Sequence, residues 1–133
     1  MSVIVDTDVI IRAERGLFDL SSWIESHADE GCRIAAITIA ELWHGLERAT
    51  AIYKPRREAY LRMIVERLPI LSYTETTALE HARIWAGLES AGKMIGYYDL
   101  IVAATALQHG SAVATFNERH FANVLGLKIV RPH

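Results

Sequence analysis

The stretch Val3-Ile-Val-Asp-Thr-Asp-Val-Ile10, VIVDTDVI, decides how the rest of the chain is read. Three β-branched apolar residues make a short buried strand, and two carboxylates stand where that strand must end. Asp8 has an ordinary explanation, because Asp is among the best helix caps and VIIRAERG has the pattern of a short helix. Asp6 has no such periodicity reason to be there. In a parallel α/β sheet the carboxyl ends of strands border the ligand crevice, so Asp6 is read as functional rather than as punctuation.

Outward from that stretch the pattern repeats. Short apolar runs rich in β-branched residues occur at 3–6, 33–37, 69–73, 112–116 and 127–130. Helical patterns fill 17–30, 38–49, the segment from near Pro55 to Pro69, 74–91 and 98–109. Gly31, Gly92 and Gly110 stop three of them, Pro55 suits a first turn, and Ala78, Ala82, Trp85 and Leu88 form a predicted inner stripe. Such alternation predicts an α/β fold, a mostly parallel sheet of about five strands covered on both faces. With no repeat, linker or low-complexity segment, 1–133 reads as a single domain.

At 133 residues and 51% hydrophobic the chain can bury a proper core. No apolar run approaches the ~20 residues of a membrane span. An acid at position 6 does not suit a signal peptide, and the lone Cys32 offers neither a disulfide framework nor a thiolate cluster. The expectation is a cytoplasmic protein. A net charge of -2 argues against a generally basic nucleic-acid surface, yet 11 of the 14 basic residues are Arg, which suits local recognition of phosphate or carboxylate. The densest basic spot, KPRR from Lys54 to Arg57, is explained as a solvated helix start.

Four further positions carry chemistry only as a set. Glu41 closes TIAE, a capping-box spacing from Thr38, with Ile37 and Leu42 as a hydrophobic staple. Asp99 stands in a helix's first turn, where the dipole favours it. Asn117 and Glu118 open NERHF as a cap and a first-turn acid. Singly, each is punctuation. Together Asp6, Glu41, Asp99 and Asn117 fall at strand-to-helix junctions or helix starts, which share one rim in a parallel sheet. Three carboxylates on that rim would repel and raise one another's pKa values unless a cation neutralised them.

A hydrated Mg²⁺ or Mn²⁺ suits such oxygen donors and is a standard agent of phosphodiester hydrolysis. Zinc lacks its spacing among the six histidines, of which His120 lies beside the rim. No GxGxxG, GxxxxGK[ST] or GxSxG is present. Tyr97 and Tyr98 are placed to line the site mouth or stack on a base, and partial burial before a helix explains them equally well.

With VIVDTDVII, ITIAELWHGLERA, KMIGYYDLIVAATALQHG and ATFNERHFANVLGLKIV in this order, the chain resembles the PIN-domain ribonucleases, specifically VapC-type toxins of toxin–antitoxin pairs. The resemblance implies a three-layer α/β/α fold and a Mg²⁺- or Mn²⁺-dependent endoribonuclease. It also implies a VapB-type antitoxin that binds DNA on the pair's behalf, and a homodimer for which Trp43, Tyr60 and Trp85 offer surface. By matching position, Asp6, Glu41 and Asp99 resemble the family's metal-binding acidic triad, and Thr7 fits its DT opening. Asp8 stands where many relatives have Asn. Asn117 and His120 occupy the two places where relatives carry a fourth acid, so Asn117 would bind through its amide oxygen or orient a water, with Glu118, which does not match by position, as the other substitute.

Two other readings compete. DTDV also resembles the opening of haloacid-dehalogenase-like phosphatases, with Asp6 as nucleophile, Asp8 as general acid, and Thr38 and Lys54 in later roles. Alternatively the chain is a catalytically weak PIN module whose work is to bind an antitoxin.

Overall fold

The first strand carries its two cores in its own alternation. In the computed structural model, which describes residues 1–133, β1 (Val3–Val5) turns Val3 and Val5 into one apolar cluster and Ile4 into another. The chain continues through α1 (Thr7–Glu14), α2 (Leu20–Ser26), β2 (Cys32–Ala35), α3 (Ala36–Glu47), α4 (Lys54–Glu66) and β3 (Ile70–Leu71). Then follow α5 (Glu75–Ser90), α6 (Tyr97–Gln108), β4 (Ala112–Ala114), a 3-10 turn at Glu118–His120 and β5 (Ile129–Val130).

The five strands pair in the order β3-β2-β1-β4-β5, every pair parallel. Residues of α1, α2, α3 and α4 close one face, around Val9, Ile10, Leu42 and Ile64. Those of α5 and α6 close the other, around Ile84, Leu100 and Phe121. The expected α/β/α layering is therefore present. Strands buried on both faces need no polar alternation, which is why β1 and β4 read as continuous apolar runs. Because β2 and β3 extend the sheet to one side of β1 and β4 and β5 to the other, the order reverses at the β1/β4 pair. A crevice opens beyond the strand ends there. No helix is long and apolar enough to cross a membrane.

Three expectations are corrected. The helix expected over 17–30 is only Leu20–Ser26, because the Asp19 carboxylate accepts the Ser22 N–H at 3.1 Å and fixes its start there. On α5 the buried residues are Thr77, Ile84 and Leu88; Ala82 is exposed, and Trp85 is 42% exposed with its ring stacked on His81. The aromatic's size suggested an inward stripe that Ile84 provides instead. The capping box at TIAE does not form either. α3 begins directly on β2 at Ala36, with Ala35 as a cap that makes no side-chain bond. Thr38 is fully buried inside the helix, its hydroxyl without a partner.

Asp8 is the fourth correction. The cap of α1 is Asp6, whose carboxylate accepts the Thr7 N–H. Asp8 lies in the helix's first turn and reaches across to the end of β4, where one oxygen accepts the Phe116 N–H at 2.9 Å and the other stands 3.2 Å from the Thr115 hydroxyl. It stitches the first helix to the last third of the chain. Asp8→Ala leaves the Phe116 N–H without its acceptor and is expected to destabilise the fold by ~1–3 kcal/mol. Asp8→Asn, which keeps an acceptor oxygen, is expected to cost less than half as much in the same urea titration.

Candidate functional site

Three separate elements deliver the acids to the crevice. Asp6, 5% exposed, is held by the Thr7 N–H at 2.9 Å and by the Thr115 hydroxyl at 3.0 Å. Glu41, one turn further into α3 than a capping role would need, accepts the Thr7 hydroxyl at 2.7 Å. Asp99, in the first turn of α6, lies 3.2 Å from His120 Nδ1. A Cβ on Gly96, the cap of that helix, would stand 3.3 Å from Asp99 Oδ2, so the bare glycine leaves the carboxylate its place.

Asp6, Glu41, Asp99 and Asn117 all line one open cleft of about 350 Å³, together with Tyr97, Tyr98 and His120. The shared rim expected from their sequence positions is present. Asn117 is there for a different reason than capping. Its side chain makes no cap bond to the 3-10 turn, and its backbone N–H donates to the Thr115 hydroxyl at 3.0 Å. The amide is left exposed at the cleft edge.

The Thr115 hydroxyl has one proton and two carboxylates within reach, Asp6 Oδ2 and Asp8 Oδ1. It can fully satisfy only one of them at a time. Burial, then the Asp8 charge, push the Asp6 carboxyl up to about 7, against the pull of the Thr115 and Thr7 hydrogen bonds; Asp99 adds a smaller push. Burial also raises Glu41, opposed by its bond from Thr7, and raises Asp99, opposed chiefly by His120. No Lys or Arg lines the cleft.

Such a donor set is hard, all-oxygen and short of positive charge. No three His, Cys, Asp or Glu side chains close on a single point. This suits an ion that keeps several of its waters and takes only one or two carboxylates directly, as Mg²⁺ does. It does not suit zinc, which takes three or four protein ligands, mostly His nitrogens and Cys sulfurs, on a single point.

Thr115 was missing from the sequence-based candidates, although a hydroxyl closing the apolar run AVAT was its signal. Thr7 was noted only for its family match. Its grip on Glu41 joins positions 34 residues apart and has no local signature. The residues that a phosphatase reading would recruit are elsewhere: Thr38 is sealed in the core, and Lys54 pairs with Glu47 on the surface. Asp8 has both oxygens engaged at the end of β4, and so is poorly placed as a general acid.

The raised Asp6 pKa fixes the sign of a pH effect. The folded state keeps its proton up to about 7, whereas the unfolded chain releases it near 4. The stability this group contributes is therefore whole below about pH 4 and is lost as pH rises toward 7, on the order of 4 kcal/mol at most. In metal-free buffer, Asp6→Asn is expected to be more stable than wild type at pH 8. The difference should shrink toward pH 4, as followed by urea unfolding.

The match to known proteins is spread over almost the whole chain. Residues 3–126 match the PIN domain family model. Ribonuclease VapC2 of Haemophilus influenzae is 31% identical over 129 residues, covering 96% of both chains. The tRNA(fMet)-specific endonuclease VapC of Salmonella typhimurium is 33% identical over 96 residues, covering 72% of this chain and 71% of that protein. Among solved structures, DNA-bound VapBC from Salmonella typhimurium superposes with a TM-score of 0.89 at 27% identity, covering 98% of this chain and 97% of that one. The chain therefore belongs to the PIN-domain family, among its VapC proteins.

Proposed function

We propose that this protein is the toxin ribonuclease of a VapBC-type pair, hydrolysing RNA phosphodiester bonds at the acidic cleft and held in check by a VapB-type antitoxin that brings the pair to DNA. The observation that carries the reading is the convergence of Asp6, Glu41 and Asp99, from the cap of α1, the second turn of α3 and the first turn of α6, in a cleft without a Lys or Arg to neutralise them. The names of the matched relatives, a ribonuclease and a tRNA endonuclease among them, support RNA as substrate.

Asp6, Glu41 and Asp99 would hold a hydrated Mg²⁺ or Mn²⁺ ion, one or two of them directly and the rest through its waters, and the ion when bound polarises a phosphoryl oxygen and makes water more acidic. The remaining work falls to the chain. Thr7 and Thr115 fix the Glu41 and Asp6 carboxylates by donated hydrogen bonds, so neither has to be ordered by the substrate. His120 Nδ1 is placed to donate a hydrogen bond to Asp99 Oδ2. Asn117 offers an uncharged amide where an acid would repel the incoming phosphate. Tyr97 and Tyr98, 73% and 55% exposed at the cleft mouth, present faces on which bases can stack.

Purified protein should cut total cellular RNA with Mg²⁺ or Mn²⁺ and stop on chelation. Asp6→Asn and Asp99→Asn are each expected to lose at least 100-fold in rate while remaining folded; full activity in both would sink the mechanism. Asp8→Asn separates this reading from the phosphatase. It should stay within about tenfold of wild type on RNA, whereas loss of the general acid would silence a phosphatase.

A further inference from the structure

A cavity of about 700 Å³, twice the volume of the acidic cleft, lies not at the acids but beside them, among α1, α3 and α4. Its walls carry Arg15, Arg48, Arg56 and Arg57, with Glu14, Tyr53 and Tyr60 among the remaining lining residues. Only Arg57 has a carboxylate, Glu14, whose Oε1 accepts its Nε–H at 3.1 Å; the other Glu14 oxygen is buried and without a partner. Arg15, Arg48 and Arg56 make no ion pair. Four guanidinium groups against one carboxylate leave an excess of three positive charges, in a chain whose net charge is -2.

Helix electrostatics explains only part of this. Arg15 and Arg48 follow the last residues of α1 and α3, where a cation is favoured. Lys54, Arg56 and Arg57 do the opposite. They crowd the first turn or so of α4, which has no acid there, so the dipole opposes them. Like charges gathered against both one another and a helix dipole mark a surface built for an anion.

The cavity and the acidic cleft share a wall at Ile11. Arg15 follows Asp8 by seven residues and Arg48 follows Glu41 by seven. Two turns bring each Arg back to the same side of its helix, about 10 Å further on. Two neighbouring helices thus run from acid to guanidinium in the same direction, away from the cleft. The acidic cleft offers an RNA backbone no Lys or Arg, so the nearest guanidinium groups are the source of backbone affinity.

We propose that the cavity seats single-stranded RNA beside the acidic cleft, Arg15, Arg48 and Arg56 holding backbone phosphates and the exposed Tyr53 ring stacking on a base. The assignment rests on the ribonuclease reading for its substrate, and its test is kept independent of cleavage.

The test is binding of a fluorescently labelled single-stranded oligoribonucleotide to the full chain in EDTA, read by anisotropy across a salt series. Arg48→Gln/Arg56→Gln should weaken binding at least tenfold and flatten the slope of log K against log salt by about 1.4, at ~0.7 for each phosphate no longer neutralised. Tyr53→Ala should weaken binding about tenfold with the slope unchanged. Arg83→Gln, on α5 and paired with Glu80, is the control and should leave both quantities as they are. Unaltered affinity and slope in the double variant would overturn the proposal. So would variant-sensitive binding of an acidic peptide alongside unaltered RNA binding, which would give the cavity to a protein partner. A chain that binds RNA in this way yet never cuts it with Mg²⁺ or Mn²⁺ would leave the seat standing and remove the ribonuclease reading.

Discussion

A single hydroxyl proton, that of Thr115, stands between two carboxylates that the fold brings within 3.2 Å of it. Burial and this shortage of donors together set the state of the two aspartates. The parallel β1/β4 pair sets Val5 beside Ala114 and so puts Asp6 next to Thr115. The same pairing draws Asp8 across to the Phe116 N–H. An apolar core would have been served as well by neutral residues at these positions. The sheet instead buries charge at its one reversal of strand order, and the result is carboxyl groups that hold their protons more tightly than usual.

Layer order and strand placement were legible in the chain because they are written in local patterns: β-branched runs of strand length separated by helical spacing. The places where the pattern misled share one cause, a local rule overridden by a tertiary demand. TIAE satisfies the capping-box spacing, but Ala36 continues straight from β2 into α3 and carries Thr38 into the core. Trp85 has the bulk of an inward residue and lies on the outside of α5, while the smaller Ile84 packs. Asp8 has the chemistry of a cap, but Asp6 already holds that position where β1 ends.

The site was legible in part for a related reason. Acids within the first two turns of helices can be counted from sequence, so the convergence of Asp6, Glu41, Asp99 and Asn117 could be expected from topology. What orients them could not. Thr7 holding Glu41, His120 beside Asp99 and Thr115 between the two aspartates are contacts across 34, 21 and more than 100 residues. No local periodicity encodes a partner at such range. The KPRR cluster shows the converse: its residues were visible, but their concavity was not, since the cavity takes its other walls from α1 and α3.

The long reach of the Thr115 bond also orders events in time. Synthesis proceeds from the amino end, so Asp6, Glu41 and Asp99 all leave the ribosome before the strand that must lie between β1 and β5. Until residues 112–117 emerge, β1 lacks its β4 neighbour, Asp6 and Asp8 lack the hydroxyl they share, and the crevice has only one bank. A nascent chain therefore carries all three acids before it has the strand that arranges them.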